Sequence, residues 1–426
     1  MNVGCIPSKA LIHASKVLSK ARDGAHMGII AGEMSVDLGA MVGWKAGIVD
    51  RLTKGVGTLL RANKAKVRMG TARLVGPGRV AITDSAGKTE EVSAKHVVLA
   101  TGSRPVEIPS LPFDGDTIVD STGALAPASL PGHLAVIGGG VIGMELGEVY
   151  SRLGCKVTVI EALDRVLAVF DKDVVRALQM KHRKAGIVHM VSTKVTSAEK
   201  LDDGQVRLAY EGSKGSGELV VDRVLVAVGR RPNTGDLGLE TVGLVPDERG
   251  FVAVDSQRRT AVEGVWAIGD IVPGPMLAHK ASKEAEVCAE AIAGRPSAMD
   301  VMAIPNVVYT DPEIATVGPT LAELKASGRK LKIGKFPFAA LGRAMGADAT
   351  EGFSRVVGDA ETGEVLAIHI VGAEASELVA EAGLALEMSA DLEDVALTVH
   401  AHPTMAESIM EAAKAALGEA IHAVNR

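Results

Sequence analysis

The residues of this chain best suited to chemistry lie near its two ends and at one glycine-rich turn between them. Cys5 leads into Ile6-Pro7-Ser8-Lys9, where proline sits near the first turn of a helix expected over 7–23. At a helix N-terminus the dipole and the free N–H groups favour a thiolate, the nucleophilic and redox-active form of cysteine. Lys9 follows one turn later on the same face. Near the other end His402 precedes Pro403, and Glu407 stands five residues after it. Taken alone, a histidine in a loop is usually a solvated surface residue; a carboxylate that orients its imidazole and fixes the tautomer is what a general base requires.

The turn is Leu134-Ala135-Val136-Ile137-Gly138-Gly139-Gly140-Val141-Ile142-Gly143, a strand running through G-x-G-x-x-G into a helix that ends near Leu153, with Gly154 as its cap. Gly138 permits the tight turn, Gly140 lets the backbone approach a pyrophosphate, and Gly143 lets helix pack on strand. The helix N-terminus then offers N–H groups and a positive dipole end to phosphate. A second strand, 156–160, ends at Glu161, 18 residues past Gly143. There a carboxylate accepts hydrogen bonds from ribose hydroxyls and repels a 2′-phosphate, which favours NAD over NADP.

The elements that must position these groups follow from the apolar pattern. Helices are expected over 7–23, 38–64 and 277–293, and strands over 66–69, 79–83, 95–100, 205–210, 223–228 and 265–268. From 304 onward the texture becomes antiparallel, with strands at 353–358 and 365–371 followed by two helices. Cys155 is placed in a strand and Cys288 in a helix, both as small buried hydrophobes. A length of 426 residues calls for several domains. With 46 basic against 52 acidic residues the net charge is −6, which gives no support to nucleic-acid binding. No apolar run has the length of a membrane span, no secretory signal is visible, and three cysteines are too few for a disulfide scaffold. No metal site is expected.

Asn2-Val3-Gly4-Cys5-Ile6-Pro7-Ser8-Lys9 resembles the redox motif of the dihydrolipoyl dehydrogenases, within the pyridine nucleotide-disulfide oxidoreductases. Further stretches agree in order and spacing: Ala100-Thr101-Gly102-Ser103, the dinucleotide fingerprint, and Gly229-Arg230-Arg231-Pro232-Asn233. Then come Trp266-Ala267-Ile268-Gly269-Asp270, Met276-Leu277-Ala278-His279, and His400-Ala401-His402-Pro403-Thr404. The resemblance covers essentially the whole chain. It implies an α/β fold with two Rossmann-like domains for FAD and NAD plus an α+β C-terminal dimerisation domain. The expected divisions are 1–130 for FAD, 131–258 for NAD, 259–303 for the returning FAD or central segment, and 304–426 for the interface domain.

Residue by residue, the resemblance implies that Ala72, Thr101, Gly102, Ser103, Asp270, Met276, Leu277, Ala278 and His279 lie against FAD. It implies that Gly138, Gly139, Gly140, Val141, Ile142, Gly143, Glu161, Val195 and Gly229 hold NAD. Cys5 would be the flavin-facing cysteine, Lys9 would pair with Glu145 near the flavin, and His402 with Glu407 would be the base. Taken alone, Lys9 reads as a solvated helix residue and Asp270 as a strand-end acid; their company gives them roles. The implied reaction oxidises protein-bound dihydrolipoamide with NAD through FAD. Its partners would be a second copy of the chain and a lipoyl domain of an acyltransferase core or glycine-cleavage carrier. Its location would be a bacterial cytoplasm, or the mitochondrial matrix in a eukaryote.

The family motif has two cysteines separated by four residues, and Met1 stands just after the position of the first. A first strand–turn–helix for FAD is also expected before residue 1, so the chain as written is expected to lack part of the FAD domain and to fall short of full turnover. Rival readings are a non-catalytic NAD-binding or subunit-interaction fragment, and a glutathione- or mercuric-reductase-like enzyme. Glu161 stands where glutathione reductases generally carry arginines, and the C-terminus lacks the vicinal cysteines of mercuric reductases.

Overall fold

Alternation of short apolar strands with amphipathic helices organises the chain into two compact units. The computed structural model describes residues 1–425. One unit comprises Met1–Leu52, Glu107–Val228 and Met302–Arg426, and the other Thr53–Val106 and Gly229–Val301.

In the first unit a five-stranded parallel sheet runs in the order Ile118–Val119, Arg223–Val226, His133–Ile137, Lys156–Ile160, Val188–Met190. The strands Leu134–Ile137 and Val157–Ile160 are nearly continuous apolar runs, as a sheet covered on both faces requires. Helix Val141–Arg152 covers one face through Met144, Leu146 and Val149, and helix Cys5–Arg22 packs on it with Leu11 and Ile12. The opposite face meets an antiparallel meander, Thr193–Lys200, Val206–Gly212 and Gly215–Val221, through Val206, Leu208 and Val221. The same unit contains a five-stranded antiparallel sheet ordered Asn306–Val308, Glu313–Val317, Val365–Gly372, Phe353–Asp359, Leu331–Pro337. Helices Ala375–Glu387, Leu392–Leu397 and Glu407–Leu417 close over it around Ile368, Ile370, Val379 and Ile409.

The second unit contains an antiparallel sheet of Thr71–Gly76, Arg79–Thr83 and Thr89–Ser93. A parallel pair joins Val97–Leu99 to Val265–Ala267, and an antiparallel pair joins Ser103–Pro105 to Arg230–Pro232. Leu74, Leu99, Leu239, Val265, Ala267 and Ile271 form its core, and helix Ala278–Ile292 buries Val287, Cys288 and Ala291. Among the described residues no helix is long and apolar enough to cross a membrane.

The structure corrects three local expectations and adds one helix. No strand forms over 66–69: Val67 and Met69 are exposed, and pairing with Arg79–Thr83 begins only at Thr71, opposite Thr83. Gly70, at φ +155°, separates the two stretches, and a Cβ there would lie 2.5 Å from the Thr83 carbonyl oxygen. Cys155 is buried but precedes its strand, its N–H donating to Tyr150 O at 3.0 Å in the turn after the helix. Among the described residues three helices, not two, follow Val365–Gly372; the extra one, Leu392–Leu397, is started by a capping box between Asp391 and Asp394. Helix Lys172–Lys184 occupies a stretch given no assignment above.

Candidate active site

Strand His133–Ile137 delivers the chain into the glycine turn, where each glycine meets a different constraint. Gly138 has φ +105°, and a Cβ on it would lie 2.4 Å from Ala227 O. A Cβ on Gly143 would lie 2.1 Å from Gly138 O, so the helix can sit this close to the strand only with hydrogen there. Gly140 has nothing within 4 Å: the space above it is open. Helix Val141–Arg152 has no side-chain cap at Gly140, which leaves its first-turn N–H groups for an anionic ligand. Glu161 accepts the Gly139 N–H at 2.6 Å and the Leu163 N–H at 2.7 Å, one on each oxygen. These bonds fix its carboxylate over the turn, and each oxygen keeps a second lone pair for a ribose hydroxyl. Open backbone, unfilled N–H groups and an oriented carboxylate together fit an adenine dinucleotide. Val195 lies half-buried on the meander strand; Gly229, in the second unit, has φ +132° and no neighbour where its Cβ would be.

Cys5 is the first residue of its helix, exposed, with Gly4 as an N-cap that supplies no side chain. One turn on, the Lys9 ammonium donates to Glu145 Oε2 at 2.8 Å. Glu145 is two residues past Gly143, so this contact ties the cysteine helix to the helix that opens at the dinucleotide turn. The other Glu145 oxygen accepts the Tyr309 N–H at 2.9 Å. One turn further, Glu148 accepts the Asp311 N–H at 3.0 Å and pairs with Arg152 at 2.8 Å. Burial pushes the Glu148 carboxyl up to about 7 against the pull of Arg152.

His402 projects from a loop with its side chain 79 % exposed, and its Nδ1 meets Glu407 Oε1 at 2.9 Å. The other Glu407 oxygen accepts the Thr404 N–H at 2.8 Å. Desolvation works against charge on Glu407, but that N–H and His402 outweigh it and hold the carboxyl below the usual range. Nε2 of His402 is thereby left to face solvent or substrate. His400, two residues earlier, is held separately by Glu381 at 2.7 Å.

In the second unit Ser103 Oγ donates to Asp270 Oδ2 at 2.5 Å, and Arg230 Nε donates to the same Ser103 Oγ at 2.7 Å. Asn233 ties down the preceding residues, its N–H donating to Gly102 O at 2.8 Å and its side chain to Thr101 O at 3.0 Å. The peptide before Asp270 is clamped on both sides: Gly269 N–H donates to Glu284 at 2.7 Å, and Lys280 donates to Gly269 O at 3.1 Å. Lys280 and Glu284 pair at 3.0 Å with Arg258 on the other side at 3.1 Å, and Glu284 has no exposed side-chain surface. Met276 and Leu277 are half-buried, and Ala278 and His279 begin the exposed first turn of helix Ala278–Ile292. Ala72 is exposed on strand Thr71–Gly76. Space beside Gly102 is open where a Cβ would stand, and the remaining Asp270 oxygen can accept a hydroxyl, which suits the ribityl and pyrophosphate region of a flavin nucleotide.

Tyr309, Arg230, Lys280 and Glu284 were given no role from sequence. For Lys280 and Glu284 a signal existed: they share an i, i+4 face with the buried Val287, Cys288 and Ala291, where charge has no place unless paired. Tyr309 left no local signal.

A nucleotide-binding α/β fold that carries an exposed thiol at a helix start, a half-buried lysine paired with a buried carboxylate beside it and an oriented histidine is that of a dinucleotide-dependent flavoprotein oxidoreductase. Residues 1–285 match the pyridine nucleotide-disulphide oxidoreductase family and residues 304–413 match its dimerisation domain, so the chain belongs to that family. Its cofactors are FAD and NAD. The chain is 47 % identical to a dihydrolipoyl dehydrogenase of Halobacterium salinarum, over 100 % of this chain and 90 % of the relative. It is 45 % identical to that of Geobacillus stearothermophilus, with the same coverage of each. Among solved structures it resembles LpdA of Mycobacterium tuberculosis, with a TM-score of 0.90 at 27 % identity over 97 % of this chain and 90 % of that one. It also resembles the flavoprotein disulfide reductase RclA of Escherichia coli, with a TM-score of 0.86 at 25 % identity over 97 % and 89 %.

Proposed function

We propose that the chain acts as a dihydrolipoyl dehydrogenase, oxidising a protein-bound dihydrolipoyl dithiol to its disulfide and passing the electron pair to NAD. The observation that carries the reading is the Lys9–Glu145 contact at 2.8 Å, which fastens the cysteine helix to the dinucleotide helix. When bound, FAD accepts the electron pair from a thiolate and NAD receives it as hydride.

The chain's own residues do the rest. His402, oriented by Glu407, takes a proton from the substrate thiol at Nε2 and makes it a thiolate. Cys5 is the flavin-side thiol, exposed as the first residue of its helix. By resemblance its redox partner is a cysteine five positions earlier; Cys155 and Cys288 are buried and do not serve. Lys9, fixed by Glu145, supplies a positive charge beside the flavin. Ala72, Thr101, Gly102, Ser103, Asp270 and Met276 to His279 bind FAD. Gly138 to Gly143, Glu161, Val195 and Gly229 bind NAD and disfavour NADP. The divisions at 130, 258 and 303 separate FAD-binding, NAD-binding, returning and interface segments.

The dimerisation domain supports a homodimer, in which, by resemblance, His402 serves the partner subunit. Exposed Leu384, Met388, Leu397 and Val399 on that segment support burial against a second copy. The partner substrate is a lipoyl domain, and the compartment is a bacterial cytoplasm or, in a eukaryote, the mitochondrial matrix. The test is to reconstitute with FAD the chain extended upstream through the first strand–turn–helix and motif cysteine, and add NADH without oxygen. Bleaching of the visible flavin absorbance by NADH, and much less by NADPH, is expected; a colourless protein that still binds NADH would overturn the flavin part of the reading.

A further inference from the structure

We propose that Tyr309 is a positioning residue for Lys9, its ring holding the ammonium in register with Glu145; this rests on the reading of Lys9 given above. The Lys9 side chain is 31 % exposed, so solvated rotamers are open to it. A single ion pair at that exposure contributes little and does not choose among them. The second contact comes from Tyr309, whose ring centroid lies 4.4 Å from Lys9 Nζ, within the range of a cation–π interaction.

The same residue also fixes the carboxylate. Glu145 is 4 % exposed, and its second oxygen takes the backbone N–H of Tyr309. Three contacts therefore close a ring: ammonium to carboxylate, carboxylate to Tyr309 backbone, Tyr309 ring to ammonium. Tyr309 follows strand Asn306–Val308, paired along its length with Glu313–Val317, and packs against the core of the parallel sheet. Burial, then the charge of Glu145, raises its hydroxyl above the ordinary tyrosine range, so the ring stays neutral. Because the bond to Glu145 comes from the main chain, a side-chain substitution removes the ring and leaves the carboxylate held.

The test is acylation of Lys9 by an acetyl succinimidyl ester, followed by peptide mass spectrometry on the 426-residue chain without added cofactor. Tyr309→Phe keeps the ring face and should label at the parental rate. Tyr309→Leu should label Lys9 about two- to five-fold faster, the loss of one partly exposed cation–π contact. Lys16, paired with Glu313 further along the helix, should label unchanged and serves as the internal reference. If the leucine variant does not keep the parental circular dichroism, Tyr309→Met repeats the test. Equal Lys9 rates in the parent and in the folded Leu or Met variant would overturn the proposal, as would a Phe variant that labels as fast as Leu. Faster labelling in Leu on a chain that takes up no flavin would uphold the ring's role and refute only the flavin reading.

Discussion

Alanine at Gly140 and at Gly143 should separate binding from folding within one turn. At Gly143 the new methyl would stand 2.1 Å from Gly138 O and 3.0 Å from Val136 Cγ1, with backbone on one side and a buried strand residue on the other. Carbon contacts are comfortable at about 3.5–4.0 Å, so helix and strand must part by roughly 1.5 Å. Overpacking of that kind costs about 1–3 kcal/mol. At about 2–4 °C per kcal/mol for a domain of this size, the unfolding midpoint should fall by several degrees. Gly140 has φ −76° and nothing within 4 Å of a Cβ, so alanine there is tolerated by the protein itself. Fewer unfolded conformations would even add about 0.4–1 kcal/mol of stability. The methyl would instead occupy the space a pyrophosphate needs, and NADH affinity should drop at least about tenfold, roughly 1.4 kcal/mol. Thermal unfolding and NADH titration by fluorescence on both variants read the two effects. Parental NADH affinity in Gly140→Ala would refute the assignment of the turn, and an undisturbed midpoint in Gly143→Ala would refute the packing argument.

Other outcomes follow from the same geometry. Lys280→Met leaves Glu284 with Arg258 and the Gly269 N–H and frees the Gly269 carbonyl; denaturant unfolding should show a loss of about 3–5 kcal/mol, with flavin retention reduced. Glu161→Gln keeps the acceptor for the Gly139 N–H but loses the charge, so the ratio of NADPH to NADH dissociation constants should narrow by about tenfold, one lost charge repulsion. His402→Gln, at an exposed loop site, should leave the unfolding midpoint unchanged while turnover falls by roughly 10²–10⁴. Burial first, then neighbouring charge, lowers His182 to about 3 and His369 to about 4, and burial alone lowers His189 to about 4. The unfolded chain binds those protons below about 6.5, so stability should rise with pH through that window by about 1.4 kcal/mol per unit for each histidine. Glu148, raised to about 7, opposes one of them, because the folded state keeps a proton that the unfolded chain releases. Urea midpoints from pH 6.5 to 4.5 should therefore fall on acidification; a flat profile would contradict the burial of the histidines.

How much could be read in advance follows from the range of each interaction. The glycine turn was legible because each constraint is local, between strand, turn and helix that adjoin in sequence. His402 and Glu407 stand five residues apart, but a loop histidine reads as a solvated surface residue, and only the resemblance gave the pair a role. Lys9 and Glu145 are separated by 136 positions, and only resemblance joined them before the fold did. Tyr309, which closes that contact from a third segment, was invisible because its donor is a main-chain N–H that any residue would provide. The strand expected over 66–69 failed because alternation marks a face but not a partner, and the partner's register begins at Thr71. Helix Lys172–Lys184 was missed because its buried stripe, Val174, Val175 and Leu178, is completed by His182, a residue that does not advertise burial.

The most direct measurement is reduction of NAD by dihydrolipoamide, made on this chain, on one extended upstream through a first motif cysteine, and on Cys5→Ser and His402→Gln versions of the extended chain. The account predicts turnover with NAD in the extended chain that is lost on Cys5→Ser and cut sharply by His402→Gln. A flavin-bearing, dimeric extended chain with no turnover, or turnover indifferent to Cys5 and His402, would contradict it.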